Sequence, residues 1–214
     1  MALSNNEKKF LLKLARNTIE HYLKTGSLLK IDEKTLPGSL GSLTSHASSG
    51  HSGSLGSLNS PLKEKKGCFV TLNVHSALRG CIGHLLPVQA LYKDVIENAY
   101  NAAFQDPRFP PMMKTELEDV SIEISVLDIP KKLDYKDASD LIAKISKTKP
   151  GVILGKGYRQ ATFLPQVWED LPKPEEFLGH LCMKAGMPPS EWRSGTLEIQ
   201  TYGVEKFEER LYLC

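Results

Sequence analysis

The sequence lacks several features that would place it in a familiar class. It has no run of roughly 18–20 apolar residues, the length needed to span a bilayer. Residues 1–9 contain no apolar signal-peptide core. Its 27 Lys and Arg residues are nearly balanced by 25 Asp and Glu residues, so it lacks the basic excess typical of proteins that wrap nucleic acid. We therefore expect a cytoplasmic protein that binds neither membranes nor nucleic acid.

Cysteine pairs are also missing. The chain has four cysteines, none in a CxxC motif: Cys68, Cys81, Cys182 and Cys214. Reduced thiols of a cytosolic protein explain this spacing better than a disulfide framework. His75 and His84 flank Cys81, but three such donors do not define zinc ligation without geometry. The sequence therefore assigns no metal ligand and no cofactor.

Charge is absent from one long segment. Residues 35–62 contain no Asp, Glu, Lys or Arg, and the triplet Gly-Ser-Leu occurs in them four times. Gly and Ser keep a backbone flexible and bury too little surface to offset the entropy lost on ordering. We predict that 35–62 is a disordered insertion in a surface loop of one domain spanning 1–214. A phosphorylated or partner-binding loop is the open alternative.

The rest of the chain carries regular hydrophobic patterns. Ser4 and Glu7 have the spacing of a capping box, and Gly26 suits the end of the helix that they begin. Further helices are predicted from Pro87 to 103, at 138–147 and at 174–185. Strands are predicted at 68–74, 78–83, 120–126, 151–154, 160–164 and 197–204. Because helices and strands do not alternate as regular βα units, we predict an α+β fold.

The hexapeptide LRGCIG at 78–83 is the most informative stretch. Gly80 and Gly83 lie inside a predicted strand, where glycine packs poorly and is entropically costly. The usual reason is a close approach of backbone by another strand or by a ligand. Strict alternation would place Leu78, Gly80 and Ile82 on one face of this strand.

The same alternation places Arg79 and Cys81 together on the other face. A neighbouring Arg favours the thiolate, which is the reactive form of cysteine. Cys81 is therefore a candidate nucleophile, with His75 or His84 as a nearby base. The alternative is a buried structural cysteine and an Arg paired with a carboxylate.

A second constellation is DPRFPP at 106–111. Its three prolines predict a rigid turn that ends the preceding helix and holds charged side chains at fixed positions. Asp106 and Arg108 are candidate ligand-binding residues, together with Arg79, Gly80 and Gly83. The alternative is a helix stop in which Asp106 caps and Arg108 pairs.

These motifs resemble the AMMECR family. LRGCIG at 78–83 is similar to the family's signature hexapeptide. DPRFPP at 106–111 resembles its second motif, and ATFLPQVW at 161–168 its third, followed by FLGHLC at 177–182 and KAG at 184–186. The similarity covers about 10–32 and 66–208. The segment 35–62 departs from it, since the family's loop there is usually shorter and charged.

The resemblance implies two closely packed subdomains around mixed or antiparallel sheets with flanking helices, and a groove near the first motif. It implies no known reaction, so whether the chain is an enzyme stays open. It also implies a Memo-like or radical SAM protein as partner, since such proteins often accompany prokaryotic members.

We therefore expect a site for a small anionic molecule, or a catalytic groove, centred on the hexapeptide. The alternatives are a non-catalytic interaction module, with a patch around Pro107–Pro111 and Trp168, and a nucleic-acid-binding protein.

Overall fold

The first helix, α1 (Asn5–Thr25), begins and ends where the sequence predicts. In this computed structural model, which describes residues 2–37 and 60–212, the Ser4 side chain accepts the Glu7 N–H. The Glu7 carboxylate accepts the Ser4 N–H at 2.8 Å in return. Gly26 closes the helix with φ 70°, in the left-handed region that glycine adopts without strain.

The chain divides into two units, Met1–Val126 with Glu205–Cys214 and Leu127–Val204. The first, unit 1, contains a four-stranded sheet in the order β2-β1-β3-β8. Its strands are β1 (Cys68–Val74), β2 (Ala77–Gly83), β3 (Val120–Leu127) and β8 (Val204–Glu208). Helix α2 (Leu91–Phe104) packs on β1 and β2, and α1 packs on α2. The helix start predicted at Pro87 is wrong, because Ala90 still has extended backbone and α2 begins after it.

The pairing of β1 with β2 contains a β-bulge. Leu72 lies opposite Gly80, whereas the next residue, Asn73, lies opposite Leu78. Arg79 is thus an extra residue on β2, and a bulge of this kind redirects side chains. The predicted alternation is therefore wrong at Leu78, which lies on the face opposite Gly80.

Residues 38–59 of the predicted insertion lie outside the described residues. The two ends of the segment 35–62 belong to the packed part of unit 1. Leu36 and Leu62 are both fully buried in its hydrophobic core. The Ser60 side chain accepts the Leu62 N–H at 3.4 Å and begins a short 3₁₀ turn.

Unit 2 contains a second four-stranded sheet, in the order β4-β7-β5-β6. Its strands are β4 (Lys131–Lys132), β5 (Gly151–Lys156), β6 (Arg159–Phe163) and β7 (Glu198–Tyr202), and its helices are α3 (Ala138–Thr148), α4 (Val167–Asp170) and α5 (Pro174–Lys184). Trp168 is only 3% exposed and stacks on Phe177 with ring centroids 3.9 Å apart. It belongs to the core of unit 2, so its predicted place in an exposed patch is wrong.

The single strand predicted at 197–204 is also wrong. The chain forms β7 in the second sheet and then β8 in the first, with Gly203 between them. A side chain at Gly203 would meet Oδ2 of Asp128 at 2.5 Å, so the Asp128 carboxylate would have to shift to admit one. A short helix, α6 (Glu209–Tyr212), follows β8.

The described strand pairs within both sheets are antiparallel, and along the chain the helices separate groups of two consecutive strands instead of alternating with single strands. The predicted α+β fold is therefore confirmed.

Candidate functional site

The turn 106–111 is fastened to the edge of the first sheet at Cys81. The backbone N–H of Cys81 donates to Oδ2 of Asp106 at 2.9 Å, and Nη2 of Arg108 donates to the Cys81 carbonyl at 3.1 Å. Strand β2 lies at the edge of its sheet, so these backbone groups have no neighbouring strand to pair with. The two side chains of the turn take the place of that strand.

Asp106 and Arg108 also bind each other. Nε and Nη2 of Arg108 donate to the two carboxylate oxygens at 2.9 and 2.7 Å. This guanidinium holds the pKa of Asp106 well below its usual range, and the backbone N–H groups of Cys81 and Arg108 add to the effect. The Asp106 side chain is buried, whereas that of Arg108 is 54% exposed. The turn therefore presents a fixed, charged guanidinium at its surface.

Arg79 reaches the same turn from the bulge. Its Nε donates to Glu116 at 2.6 Å and its Nη2 to the carbonyl of Pro110 at 2.9 Å. Its guanidinium lowers the pKa of Glu116. Its Nη1 is buried and has no hydrogen-bond partner among the described residues. Both guanidinium carbons lie near the ring of Phe109, 5.9 Å away for Arg79 and 5.6 Å for Arg108.

The thiol of Cys81 is half-buried beside Thr71. The Thr71 hydroxyl donates to the Cys81 sulfur at 3.2 Å, and the two residues face each other across β1 and β2. Their face of the sheet is opposite the buried face formed by Val70 and Leu72. Cys81, Arg79, Asp106 and Arg108 thus lie around one turn.

The two glycines of the hexapeptide contact protein atoms. A side chain at Gly80 would lie 2.1 Å from the carbonyl oxygen of Ala102 in α2. One at Gly83 would lie 2.4 Å from the Cys68 carbonyl and from the Phe69 ring. Of the two explanations left open by the sequence, close approach by the chain itself accounts for both positions.

The structure does not bring either histidine to the Cys81 thiol. His75 is exposed in the two-residue turn between β1 and β2, where it and Ser76 have φ values of 50° and 69°. His84 donates its backbone N–H to the Cys68 carbonyl, so it shares the inner face of the sheet with Cys68. Nδ1 of His84 lies 2.7 Å from Oδ1 of Asp94 on α2.

Asp94 is the centre of a polar cluster that the sequence analysis missed. It is fully buried, and its Oδ2 accepts the Cys68 N–H at 3.0 Å, the Cys68 thiol at 3.2 Å and the Asn98 amide at 3.1 Å. Burial, and then the Asp94 charge, raise the pKa of Cys68 well above its usual value. A signal existed in the sequence, because Asp94 and Asn98 are polar residues four apart on the apolar face of a helix.

A groove of about 620 Å³ lies beside this cluster in unit 1. It runs between residues 28–31 and the outer side of α2. Gln89 and Glu97 line it, and the Gln89 amide donates to both Asp94 and Glu97. Within 2–37 and 60–212, no three His, Cys, Asp or Glu residues are arranged to hold a metal ion, and no helix is long and apolar enough to cross a membrane.

The chain is similar to proteins of archaea. A family model described as AMMECR1 matches residues 12–207. Protein MK0488 of Methanopyrus kandleri is 38% identical over 97% of this chain and 90% of its own length. Protein PYRAB00100 of Pyrococcus abyssi is 36% identical over 94% of this chain and 89% of its own. The crystal structure of the uncharacterized protein PH0010 from Pyrococcus horikoshii superposes with a TM-score of 0.75 and 33% identity, covering 96% of this chain and 93% of that one.

Proposed function

We propose that this chain, which belongs to the AMMECR1 family, binds a small anionic molecule where β2 meets the turn 106–111. The observation that carries the proposal is the half-exposed guanidinium of Arg108, held in place by Asp106 and by the Cys81 carbonyl. A charged group whose position is fixed before binding loses little entropy when a ligand arrives. The ligand would contact the Cys81 thiol at the same place.

The donors that remain at this site suit a carboxylate or a phosphate. The hydrogen bonds of Arg108 to the described residues use Nε and Nη2, which leaves Nη1 for a ligand oxygen. Nη1 of Arg79 also lacks a described partner, but it is buried, so Arg108 is the arginine that a ligand reaches. Arginine N–H groups bind carboxylate and phosphate oxygens through short, charge-assisted hydrogen bonds. Asp106 and Glu116 offset the two positive charges, so directed hydrogen bonds rather than net charge would select the ligand.

A reaction at this site would use the Cys81 thiol. A nucleophilic Cys81 needs a base to accept its proton or a positive group to stabilise its thiolate. Its sulfur accepts a hydrogen bond from the hydroxyl of Thr71, while Arg108 donates to the carbonyl of Cys81. Arg108 is therefore the group that would stabilise the thiolate, and the histidines are not.

Alkylation of Cys81 with two reagents tests the site. Iodoacetate carries a negative charge and iodoacetamide does not, so the ratio of their rates at Cys81, measured by peptide mass spectrometry, reports local positive charge. We expect Arg108→Gln to lower this ratio severalfold, and Arg159→Gln, at the start of β6 in unit 2, to leave it unchanged. Inorganic phosphate should slow alkylation in the wild type but not in Arg108→Gln. Equal ratios in all three proteins, without protection by phosphate, would overturn the proposal.

A second candidate function is docking to a Memo-like or radical SAM protein. Two large apolar side chains are exposed beside the Arg79–Glu116 ion pair, Leu78 at 44% and Met113 at 64%. Leu78 precedes Arg79, and the Met113 N–H donates to Glu116 at 2.7 Å. Neighbouring exposed apolar side chains are typical of protein interaction sites.

Co-purification with a Memo-like protein tests this second function. We expect the pair Leu78→Ser and Met113→Ser to abolish association, while Ile129→Ser, which removes an exposed side chain of unit 2, should not. Failure of the wild type to associate at micromolar concentration would rule the docking out. Phosphate protection of Cys81 in this double variant would show that the anion site binds its ligand independently of the docking surface.

We also place the protein in the cytoplasm and expect it not to bind nucleic acid. The thiols of Cys68, Cys81 and Cys182 are free, which suits a reducing compartment. The near balance of charges, 27 basic against 25 acidic residues, gives little electrostatic attraction to phosphate backbones. Recovery from a membrane or secreted fraction would contradict the cytoplasmic location. Retardation of RNA or DNA in a gel at low salt would contradict the absence of nucleic-acid binding.

A further inference from the structure

We propose that His84 and Asp94 form a second site in unit 1, where Nε2 of His84 accepts the proton of a hydroxyl group from a bound molecule or a water. Asp94 holds the imidazole in position for this transfer. The site does not depend on the anion site, because Cys81 and His84 lie on opposite faces of the sheet. The evidence for this second site is therefore its own geometry.

The hydrogen bond between the two residues sets the state of the imidazole. Nδ1 of His84 lies 2.7 Å from Oδ1 of Asp94 and 3.4 Å from the amide nitrogen of Asn98. The carboxylate is the nearer of the two and can only accept, so we assign the proton to Nδ1. In the neutral ring the lone pair is then on Nε2. The His84 side chain is 36% exposed, whereas that of Asp94 is fully buried. The imidazole thus joins a buried carboxylate to a partly open position.

Asp94 is held firmly enough to orient the ring. Besides His84, its oxygens accept hydrogen bonds from the Cys68 backbone and thiol, from Gln89 and from Asn98, all between 3.0 and 3.2 Å. These donors come from β1, from α2 and from the connection that precedes α2. A carboxylate fixed from several elements is suited to positioning a histidine, as in hydrolases in which an aspartate holds the catalytic imidazole.

Asn98 supplies an independent sign of a missing partner. It is fully buried, and its amide nitrogen donates to Asp94 at 3.1 Å and to the Cys68 carbonyl at 3.2 Å. Its Oδ1 has no hydrogen-bond partner among the described residues. A buried acceptor of this kind normally binds a donor. A water beside the His84–Asp94 pair would supply that donor with one hydrogen and face Nε2 with the other, whereas a ligand hydroxyl has a single hydrogen, which goes to Nε2.

The proposed step is a single proton transfer. The O–H bond of the hydroxyl group breaks, its electron pair stays on the oxygen, and a new N–H bond forms at Nε2. The imidazole becomes an imidazolium, and the adjacent carboxylate of Asp94 stabilises this positive charge. The transfer leaves an oxygen with increased nucleophilicity, and the proton returns from Nε2 to the product or to solvent.

Diethyl pyrocarbonate tests whether Nε2 is available and activated. The imidazole lone pair attacks a carbonyl carbon of this reagent, and peptide mass spectrometry gives the rate at each histidine. We expect His84 to react severalfold faster than His75, although His75 is the more exposed. Asp94→Asn should reduce the His84 rate to that of His75 or below, whereas Asp137→Asn, at the N-cap of α3, should leave it unchanged. A wild-type His84 that reacts no faster than His75 would overturn the proposal.

A second measurement needs no variant and covers the case in which Asp94→Asn does not fold. Nitrogen-15 spectra of the neutral His84 ring distinguish protonated from unprotonated nitrogens. We expect Nδ1 to carry the proton and Nε2 to be unprotonated. A proton on Nε2 would overturn the proposal, and phosphate protection of Cys81 in the same wild-type protein, which reports on the anion site alone, separates this outcome from a failure of that site.

Discussion

Asp106 accepts the backbone N–H of Cys81 at 2.9 Å and so joins two motifs that are 25 positions apart in the sequence. Arg108 completes the connection by donating to the carbonyl of the same cysteine. Both motifs therefore have a structural role, because the turn covers an otherwise unpaired strand edge. The same contacts fix the guanidinium that the proposed ligand site uses, so stability and binding can be tested at one residue.

Replacing Asp106 with asparagine should destabilise the protein by about 2 kcal/mol at pH 7, because charge-assisted hydrogen bonds are lost at a buried position. The lowered pKa of Asp106 predicts how this loss depends on pH. An unfolded aspartate has a pKa of about 3.9, so the stabilisation is complete above about pH 5 and is lost as the pH falls from about 4 towards the folded pKa. Urea unfolding at pH 7, 5 and 3 should show the wild type and Asp106→Asn converging in acid.

The matched control for this prediction is Asp134→Asn. Asp134 forms an ion pair with Lys132 in which its side chain is 85% exposed, so solvent screens the interaction. Its substitution should leave the free energy of unfolding nearly unchanged at pH 7. If the two variants lost the same stability, the Asp106 contacts would not have the structural role described above.

Gly80→Ala should cost about 3 kcal/mol of unfolding free energy, because the added methyl would lie 2.1 Å from the carbonyl oxygen of Ala102 and would force α2 away from β2. Gly155→Ala is the control, since its methyl would meet Arg159 at 3.4 Å in ordinary contact. Urea unfolding of both variants measures the difference. If Gly80→Ala does not yield soluble protein while Gly155→Ala does, that outcome agrees with the prediction. Equal free energies of unfolding for the two variants would contradict it.

Changing the turn residues His75 and Ser76 to asparagine and glycine should stabilise the protein by about 1 kcal/mol. Both positions have positive φ, a conformation that favours Asn-Gly in two-residue hairpins. The alkylation rate of Cys81 should stay the same, because the structure does not bring His75 to the thiol. Ser76→Gly, which keeps the histidine, is the comparison. A slower reaction of Cys81 only when His75 is replaced would show that His75 acts as its base.

Cys68 should make the protein less stable in alkali. Burial raises the pKa of its thiol in the folded state, whereas the unfolded thiol ionises near pH 8.5. The unfolded state therefore releases a proton that the folded state keeps, so stability is full below about pH 8.5 and falls by up to about 1.4 kcal/mol per pH unit above it. Cys68→Ala should lack this part of the slope when urea midpoints at pH 8 and pH 10 are compared. Identical slopes in the two proteins would contradict the prediction.

The sequence by itself determined the local elements and the family. Ser4, Glu7 and Gly26 mark the ends of α1 because caps depend on residues within one helical turn. The alternation over 120–126 identifies β3 because a strand with one buried face repeats every two residues. Three motifs in order along the chain were enough to indicate the family. These patterns act over short distances along the chain, so they can be read without the fold.

Only the tertiary structure decided which side chains meet. The bulge at Arg79 depends on how β1 and β2 pair, and the strand predicted at 197–204 divides at Gly203 between two sheets. The sequence suggested His84 as a base for Cys81, but the strand register places His84 on the inner face of the sheet, where it contacts Asp94 of α2. A one-residue change in pairing moves a side chain to the other face of a sheet. Partners for Cys81 and His84 are therefore chosen by register and helix packing, which no short stretch of sequence contains.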